Sequence, residues 1–65
     1  MTFNQAITEA KAGSKITHRY FSSNEWMKIH GNIVEFEDGV EMELEDFKAD
    51  RKAIQWQTDW EIFID

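Results

Sequence analysis

The chain has 65 residues, a net charge of −6 and no cysteine, which predicts one small domain over residues 1–65 without disulfides or cysteine-based metal or redox sites. Its longest apolar run is Ile62-Phe63-Ile64, which is too short for a transmembrane span of about 20 apolar residues. The first residues lack the basic and apolar pattern of a signal peptide, so we expect no secretion. Residues 1–34 hold four bases and two acids, whereas residues 35–65 hold three bases and eleven acids. That acidic half argues against direct DNA binding and fits either a solubilising face or a surface for a basic partner.

The first predicted element is a helix over about residues 3–12. Thr2 and Gln5 have the spacing of a capping box, in which each side chain accepts from a backbone amide of the other. Gly13 suits a left-handed cap after the helix. Apolar residues recur with the spacing of a single helical stripe: Phe3, Ala6, Ile7 and Ala10.

The next thirty residues predict an antiparallel meander of four strands. A three-residue loop, Glu37-Asp38-Gly39, pairs Phe36 with Val40, because a two-residue turn would set apolar side chains against charged ones. A two-residue turn at Gly31-Asn32 pairs Ile29 with Val34. Both registers put apolar residues on the same face of the sheet.

A four-residue connection at residues 22–25 completes the predicted meander. It pairs Phe21 with Trp26, Tyr20 with Met27 and His18 with Ile29. The face expected to lie under the helix then comprises Ile16, His18, Tyr20, Met27, Ile29, Val34, Phe36, Val40 and Met42. The outward face comprises Thr17, Arg19, Phe21, Trp26, Lys28, His30, Ile33, Glu35, Glu41 and Glu43.

Two elements are expected after the meander. Residues 45–52 suit a short helix or helical turn, and residues 60–64 suit a last strand with one buried side. The predicted fold class is therefore α+β, with an N-terminal helix packed on a small antiparallel sheet of four or five strands. Since natural scaffolds of this size often gain stability by association, we expect a homo-oligomer, dimer or tetramer.

No constellation of residues predicts catalysis. The histidines, His18 and His30, fall on opposite faces and cannot share a metal ion within one protomer. A hydrogen-bonded or edge position explains His18 better than a role as general base. The sequence has no phosphate-cradling glycine loop and no nucleophile elbow. We expect no enzymatic activity, no metal and no cofactor.

The outward face suggests a ligand site instead. Aromatic rings at Phe21 and Trp26 beside the cations Arg19 and Lys28 suit a nucleotide, because a base stacks on the rings and phosphates meet the cations. Polar contacts would come from the connecting segment, at Ser23 and Asn24. Two alternatives stay open: the rings form a protomer interface or a second small core under the last strand, and the segment is a plain turn.

Several motifs resemble a family of small phage proteins. The chain opens Met1-Thr2-Phe3-Asn4-Gln5-Ala6-Ile7, continues Lys11-Ala12-Gly13-Ser14-Lys15-Ile16 and ends near Asp59-Trp60-Glu61-Ile62. These motifs are similar to those of the second type of Thoeris anti-defence protein. The resemblance covers the first thirty residues and the last six. The family's basic pair stands here as His18-Arg19, and Phe21 occupies the place of the family's tryptophan.

The resemblance implies a phage "sponge" acting in the host cytoplasm. Such proteins bind a cyclic ADP-ribose isomer made by bacterial defence, and some relatives bind cyclic dinucleotides, without degrading them. The implied partner is therefore a cyclic nucleotide signal, and the expected site residues are Arg19, Phe21, Ser23, Asn24, Trp26 and Lys28.

The acidic half supports an alternative hypothesis. Carboxylates at Glu35, Glu41, Glu43 and Glu45 would mimic the phosphates of a nucleic acid and block a host nucleic-acid or defence enzyme. A third possibility is an accessory phage protein that binds no small molecule.

Overall fold

The computed structural model describes residues 1–64 as an α+β fold, as the sequence predicts. One antiparallel sheet has the strand order β4-β3-β2-β1-β5, and the N-terminal helix packs on it. Neither α-helix has the length or apolar content needed to cross a bilayer. The elements are α1 (Phe3–Lys11), β1 (Ile16–His18), β2 (Met27–His30), β3 (Ile33–Phe36), β4 (Glu41–Glu43), α2 (Leu44–Asp50), a 3-10 turn (Ile54–Trp56) and β5 (Trp60–Ile62).

Helix α1 is capped at both ends by the residues from which its ends were predicted. The Gln5 amide donates to Thr2 Oγ1 at 3.1 Å, and the Thr2 amide donates to Gln5 Oε1 at 2.8 Å, which completes the capping box. At the other end Gly13 adopts a φ of 104° just after the C-cap, Ala12. The helix buries Ala6, Ile7 and Ala10 in the core.

Both predicted hairpins are confirmed in type and register. Strands β2 and β3 pair Ile29 with Val34, and β3 and β4 pair Val34 with Met42. The Phe36 amide donates to the Val40 carbonyl at 2.9 Å, which closes the three-residue loop. These registers follow from local turn chemistry, so the sequence is sufficient to specify them.

The predicted pairing of β1 with β2 is wrong. Met27 pairs with Ile16 rather than with Tyr20, so the register is displaced by four residues and the connection is longer. The pairings of Phe21 with Trp26 and of His18 with Ile29 are absent for the same reason. A displacement by an even number keeps each strand residue on its face, so Ile16 and His18 stay buried.

Strand β5 pairs with the other edge of β1. Thr17 lies opposite Glu61, and His18 lies opposite Trp60. The chain turns sharply after His18, since the Phe21 amide donates to the His18 carbonyl at 2.9 Å. Strand β1 therefore ends before Tyr20, which is 60% exposed instead of buried.

The core lies between the sheet and the two helices. Val40 was expected there but is 56% exposed, because it lies at the end of the hairpin, between the loop and the start of β4. The predicted helical segment corresponds to α2. The predicted last strand corresponds to β5, but it is shorter, and its expected buried side is wrong beyond Trp60, because Ile62 and Ile64 are 42% and 81% exposed. The buried apolar residues are Ala6, Ile7, Ala10, Ile16, Met27, Ile29, Val34, Leu44, Phe47 and Trp60.

Candidate functional site

Phe21 faces the core instead of the outward face. Its ring centroid lies 5.6 Å from that of Trp60 and 6.0 Å from that of Trp56. The turn after β1 makes this possible, because it removes Phe21 from the strand alternation that predicts an outward side chain. Phe21 therefore belongs to an aromatic cluster under the C-terminal segment, one of the alternatives open from sequence.

Trp26 keeps the predicted outward orientation and lies between two lysines. Lys15 Nζ is 4.7 Å from the centroid of the indole ring, and Lys28 Nζ is 5.7 Å from it. Distances below about 6 Å allow a cation–π attraction to the ring face. All three residues are half-buried on the sheet face opposite α1. We call Lys15, Trp26 and Lys28 the Trp26 platform.

Sequence reasoning missed Lys15 as part of this group. It precedes β1 by one residue and therefore has the same parity as Thr17, which lies on the outward face. The Phe63 amide donates to the Lys15 carbonyl at 2.8 Å, so the pairing with the C-terminal segment fixes its backbone. The alternation of side chains along β1 was the available signal, because a strand that begins at Ile16 places the preceding Lys15 on the outward side.

The remaining predicted site residues lie in the connection between β1 and β2. Arg19 is exposed, and its Nη1 lies 3.9 Å from Asp59 Oδ2. Ser23 and Asn24 are exposed, and their side chains form no hydrogen bond within residues 1–64. Glu25 holds the connection in place, because its carbonyl accepts from Thr17 Oγ1 at 2.8 Å. The structure thus joins Trp26 with Lys28 but separates them from Phe21.

A row of carboxylates lies on the same sheet face, on β3 and β4. Glu35 is directly opposite Glu41, a like-charged pair that is unfavourable in isolation. Lys28 opposite Glu35 and the contact of 2.9 Å between His30 Nε2 and Glu35 Oε1 offset that repulsion. The face is therefore basic and aromatic around Trp26 and acidic around β3 and β4, and Glu61 of β5 lies beside Thr17 on its other side.

The Trp26 platform combines an aromatic ring with two ammonium groups. In the described part of the chain, no three His, Asp or Glu side chains are close enough to hold a metal ion. Comparisons with protein-family models, curated proteins and solved structures give no match.

Proposed function

We propose that this chain is a phage counter-defence protein that binds and sequesters a cyclic nucleotide signal without breaking a bond in it. The observation that carries the proposal is the Trp26 platform, a tryptophan ring with ammonium groups at 4.7 and 5.7 Å from its centroid. The resemblance to anti-defence proteins supports the same class of ligand.

The platform offers the two interactions that a cyclic nucleotide needs. The indole ring provides a stacking surface for a base, worth about 1–3 kcal/mol per base in known complexes. Lys15 and Lys28, whose ammonium groups lie over the ring, provide positive charge for the phosphates and move off the ring face on which the base stacks. Arg19, Ser23 and Asn24 extend from the adjacent connection and supply further polar contacts once a ligand is bound.

A homo-oligomer would complete such a site. The platform lies on the sheet face opposite α1, and the same face carries both lysines and glutamates. A second copy of this chain would enclose the ligand from the open side, in a dimer or a tetramer. Enclosure matters because charge interactions strengthen when water is excluded.

Native mass spectrometry with a panel of cyclic ADP-ribose isomers and cyclic dinucleotides tests the proposal. We expect an oligomer that gains the mass of one of these ligands in whole-number stoichiometry. The recovered ligand should have an unchanged mass, because the protein only binds it. An oligomer that binds none of them would contradict the proposal.

Two substitutions locate the site. Trp26→Ala should weaken binding by at least about tenfold, because it removes the stacking surface. Lys28→Gln should weaken binding several-fold, whereas Lys52→Gln, with the same change in charge on an exposed residue away from the platform, should not. Isothermal titration calorimetry measures all three, and equal effects of the two lysine substitutions would refute this site.

The carboxylate row favours a second candidate, an inhibitor that mimics nucleic-acid phosphates. Glu35, Glu41 and Glu43 lie together on one face, at the β4 edge of the sheet. Inhibition of a nucleic-acid enzyme by this route should weaken steeply between low and physiological ionic strength. Glu41→Gln combined with Glu43→Gln should abolish it while leaving nucleotide binding at the Trp26 platform unchanged.

A further inference from the structure

The pairing of β1 with β2 is very short, and it ends where the Trp26 platform begins. The two strands share one residue pair, Ile16 with Met27, and β1 ends two residues later at His18. The His18 carbonyl accepts from the Phe21 amide in the turn that follows. The backbone ladder therefore gives little support to Trp26, which directly precedes β2.

A side-chain hydrogen bond from Thr17 joins the two strands beyond that pair. Thr17 is half-buried, and its Oγ1 donates to the Glu25 carbonyl at 2.8 Å. The register of Ile16 with Met27 places Thr17 across from Trp26 on the outward face. The Glu25 carbonyl belongs to the planar peptide group that leads into Trp26. The bond from Thr17 therefore fixes the backbone from which the indole side chain projects.

The connection that precedes Trp26 ends in a compact turn over residues 22–25. The Glu25 amide donates to the Ser22 carbonyl at 3.0 Å, and Glu25 Oε1 accepts from the Ser22 amide at 3.1 Å. These reciprocal bonds close the turn into one unit, which presents two exposed polar residues of the candidate site, Ser23 and Asn24. Because Thr17 bonds to Glu25, it attaches this unit to β1.

The two ends of the connection are held by different interactions. At its start, Phe21 packs in the aromatic cluster with Trp56 and Trp60. At its end, the bond from Thr17 is the one hydrogen bond that residues 22–25 receive from outside the turn, within the part of the chain that the structure describes. The position of the turn beside Trp26 therefore depends on a single hydroxyl group.

We propose that Thr17 is a positioning residue of the Trp26 platform. Its hydroxyl holds the indole ring and the turn over residues 22–25 in place before a ligand binds. Such preorganisation raises affinity, because groups that are already ordered lose little freedom on binding. The effect on binding rests on the proposed function, whereas the effect on the order of Trp26 is a property of the free protein.

Two substitutions separate the hydroxyl of Thr17 from the rest of its side chain. Thr17→Val preserves the branched shape and removes the donor, whereas Thr17→Ser preserves the donor. The readout is NMR relaxation of the assigned indole ¹⁵N of Trp26 in the protein without ligand. Heteronuclear NOE reports motion on the ps–ns scale, and relaxation dispersion reports exchange on the μs–ms scale.

Thr17→Val should lower the NOE or introduce exchange at the Trp26 indole and at the amides of residues 22–25. Thr17→Ser should stay close to the unmodified protein. The indole of Trp60, whose Nε1 donates to the Trp56 carbonyl at 2.7 Å, is the internal control and should be unchanged in both variants. Unchanged motion of Trp26 in Thr17→Val would overturn the proposal. Equal motion in the two variants, or an equal change at Trp60, would also overturn it, because the hydroxyl would then have no specific role.

Cyclic ADP-ribose, one member of the panel above, is the probe for the effect on binding. Thr17→Val should raise its Kd about fivefold, the value of one hydrogen bond, and Thr17→Ser should raise it less than about twofold. Equal weakening in the two variants would count against the role of the hydroxyl. An unmodified protein that does not bind this probe would count against cyclic ADP-ribose as the ligand, and the indole measurement would still decide the role of Thr17.

Discussion

The buried side chain of His18 links the end of β1 to the segment before β5, a contact that the sequence did not predict. It is the one buried polar side chain of the described core, with 3% of its surface exposed. Nδ1 accepts from the Tyr20 amide at 3.0 Å, so Nε2 carries the proton and donates to the Thr58 carbonyl at 2.8 Å. The ring therefore joins the end of β1 to the segment before β5. The sequence predicted that His18 is hydrogen-bonded but could not identify the partners.

Replacing this ring with an apolar one should destabilise the protein. His18→Phe leaves the Tyr20 amide and the Thr58 carbonyl without partners, and we expect a loss of about 2–4 kcal/mol in the free energy of unfolding. Urea denaturation followed by fluorescence measures it. His30→Phe, which removes the exposed contact with Glu35, is the control and should change stability by less than about 1 kcal/mol. Similar losses in both variants would contradict the assigned role of His18.

Among the helices and strands, the sequence predicts the features that depend on residues close together in the chain. The cap of α1 and the two hairpins are confirmed, because each depends on residues within about ten positions of one another. Gly39 illustrates this: its φ of 86° closes the loop between β3 and β4, a conformation that favours glycine. The connection from β1 to β2 has no such residue, since Ser22, Ser23 and Asn24 are compatible with several loop lengths.

The capping box gives a test at this scale. Thr2→Ala removes the oxygen that accepts from the Gln5 amide, and we expect a loss of about 1 kcal/mol in the free energy of unfolding. Thr8→Ala is the control in the same helix. Thr8 Oγ1 donates to the Asn4 carbonyl, a bond that contributes little to helix stability, so this variant should be neutral or slightly stabilising. Chemical denaturation that finds Thr8→Ala the more damaging change would contradict this account of the cap.

The distribution of charge affects the stability of the whole molecule. The second half of the sequence holds eleven of the thirteen acids, and Glu35 and Glu41 are direct neighbours on the sheet. Repulsion among these carboxylates lowers the stability of the folded state, and salt screens it. The same asymmetry leaves the lysines of the Trp26 platform as the basic part of that sheet face.

Thermal unfolding at increasing ionic strength measures this repulsion. The Tm should rise by a few degrees between about 0.02 and 0.5 M NaCl, because screening weakens repulsion within the acidic half. The double variant Glu41→Gln and Glu43→Gln should have a higher Tm at low salt and a smaller rise. A Tm that falls with salt in the unmodified protein would show that attractive ion pairs dominate instead.

The sequence by itself determined the fold class, α1, both hairpin registers and the outward positions of Trp26 and Lys28. Each of these follows from periodicity or turn chemistry, which act between residues that are near in the chain. Only the tertiary structure decided the register of β1, the core position of Phe21 and the presence of Lys15 in the Trp26 platform. The physical reason is sequence separation: β5 reaches β1 from about forty residues away, and His18 bonds to Thr58 across that distance. No local pattern encodes such a pairing, because its stability comes from burial that exists only once the chain has folded.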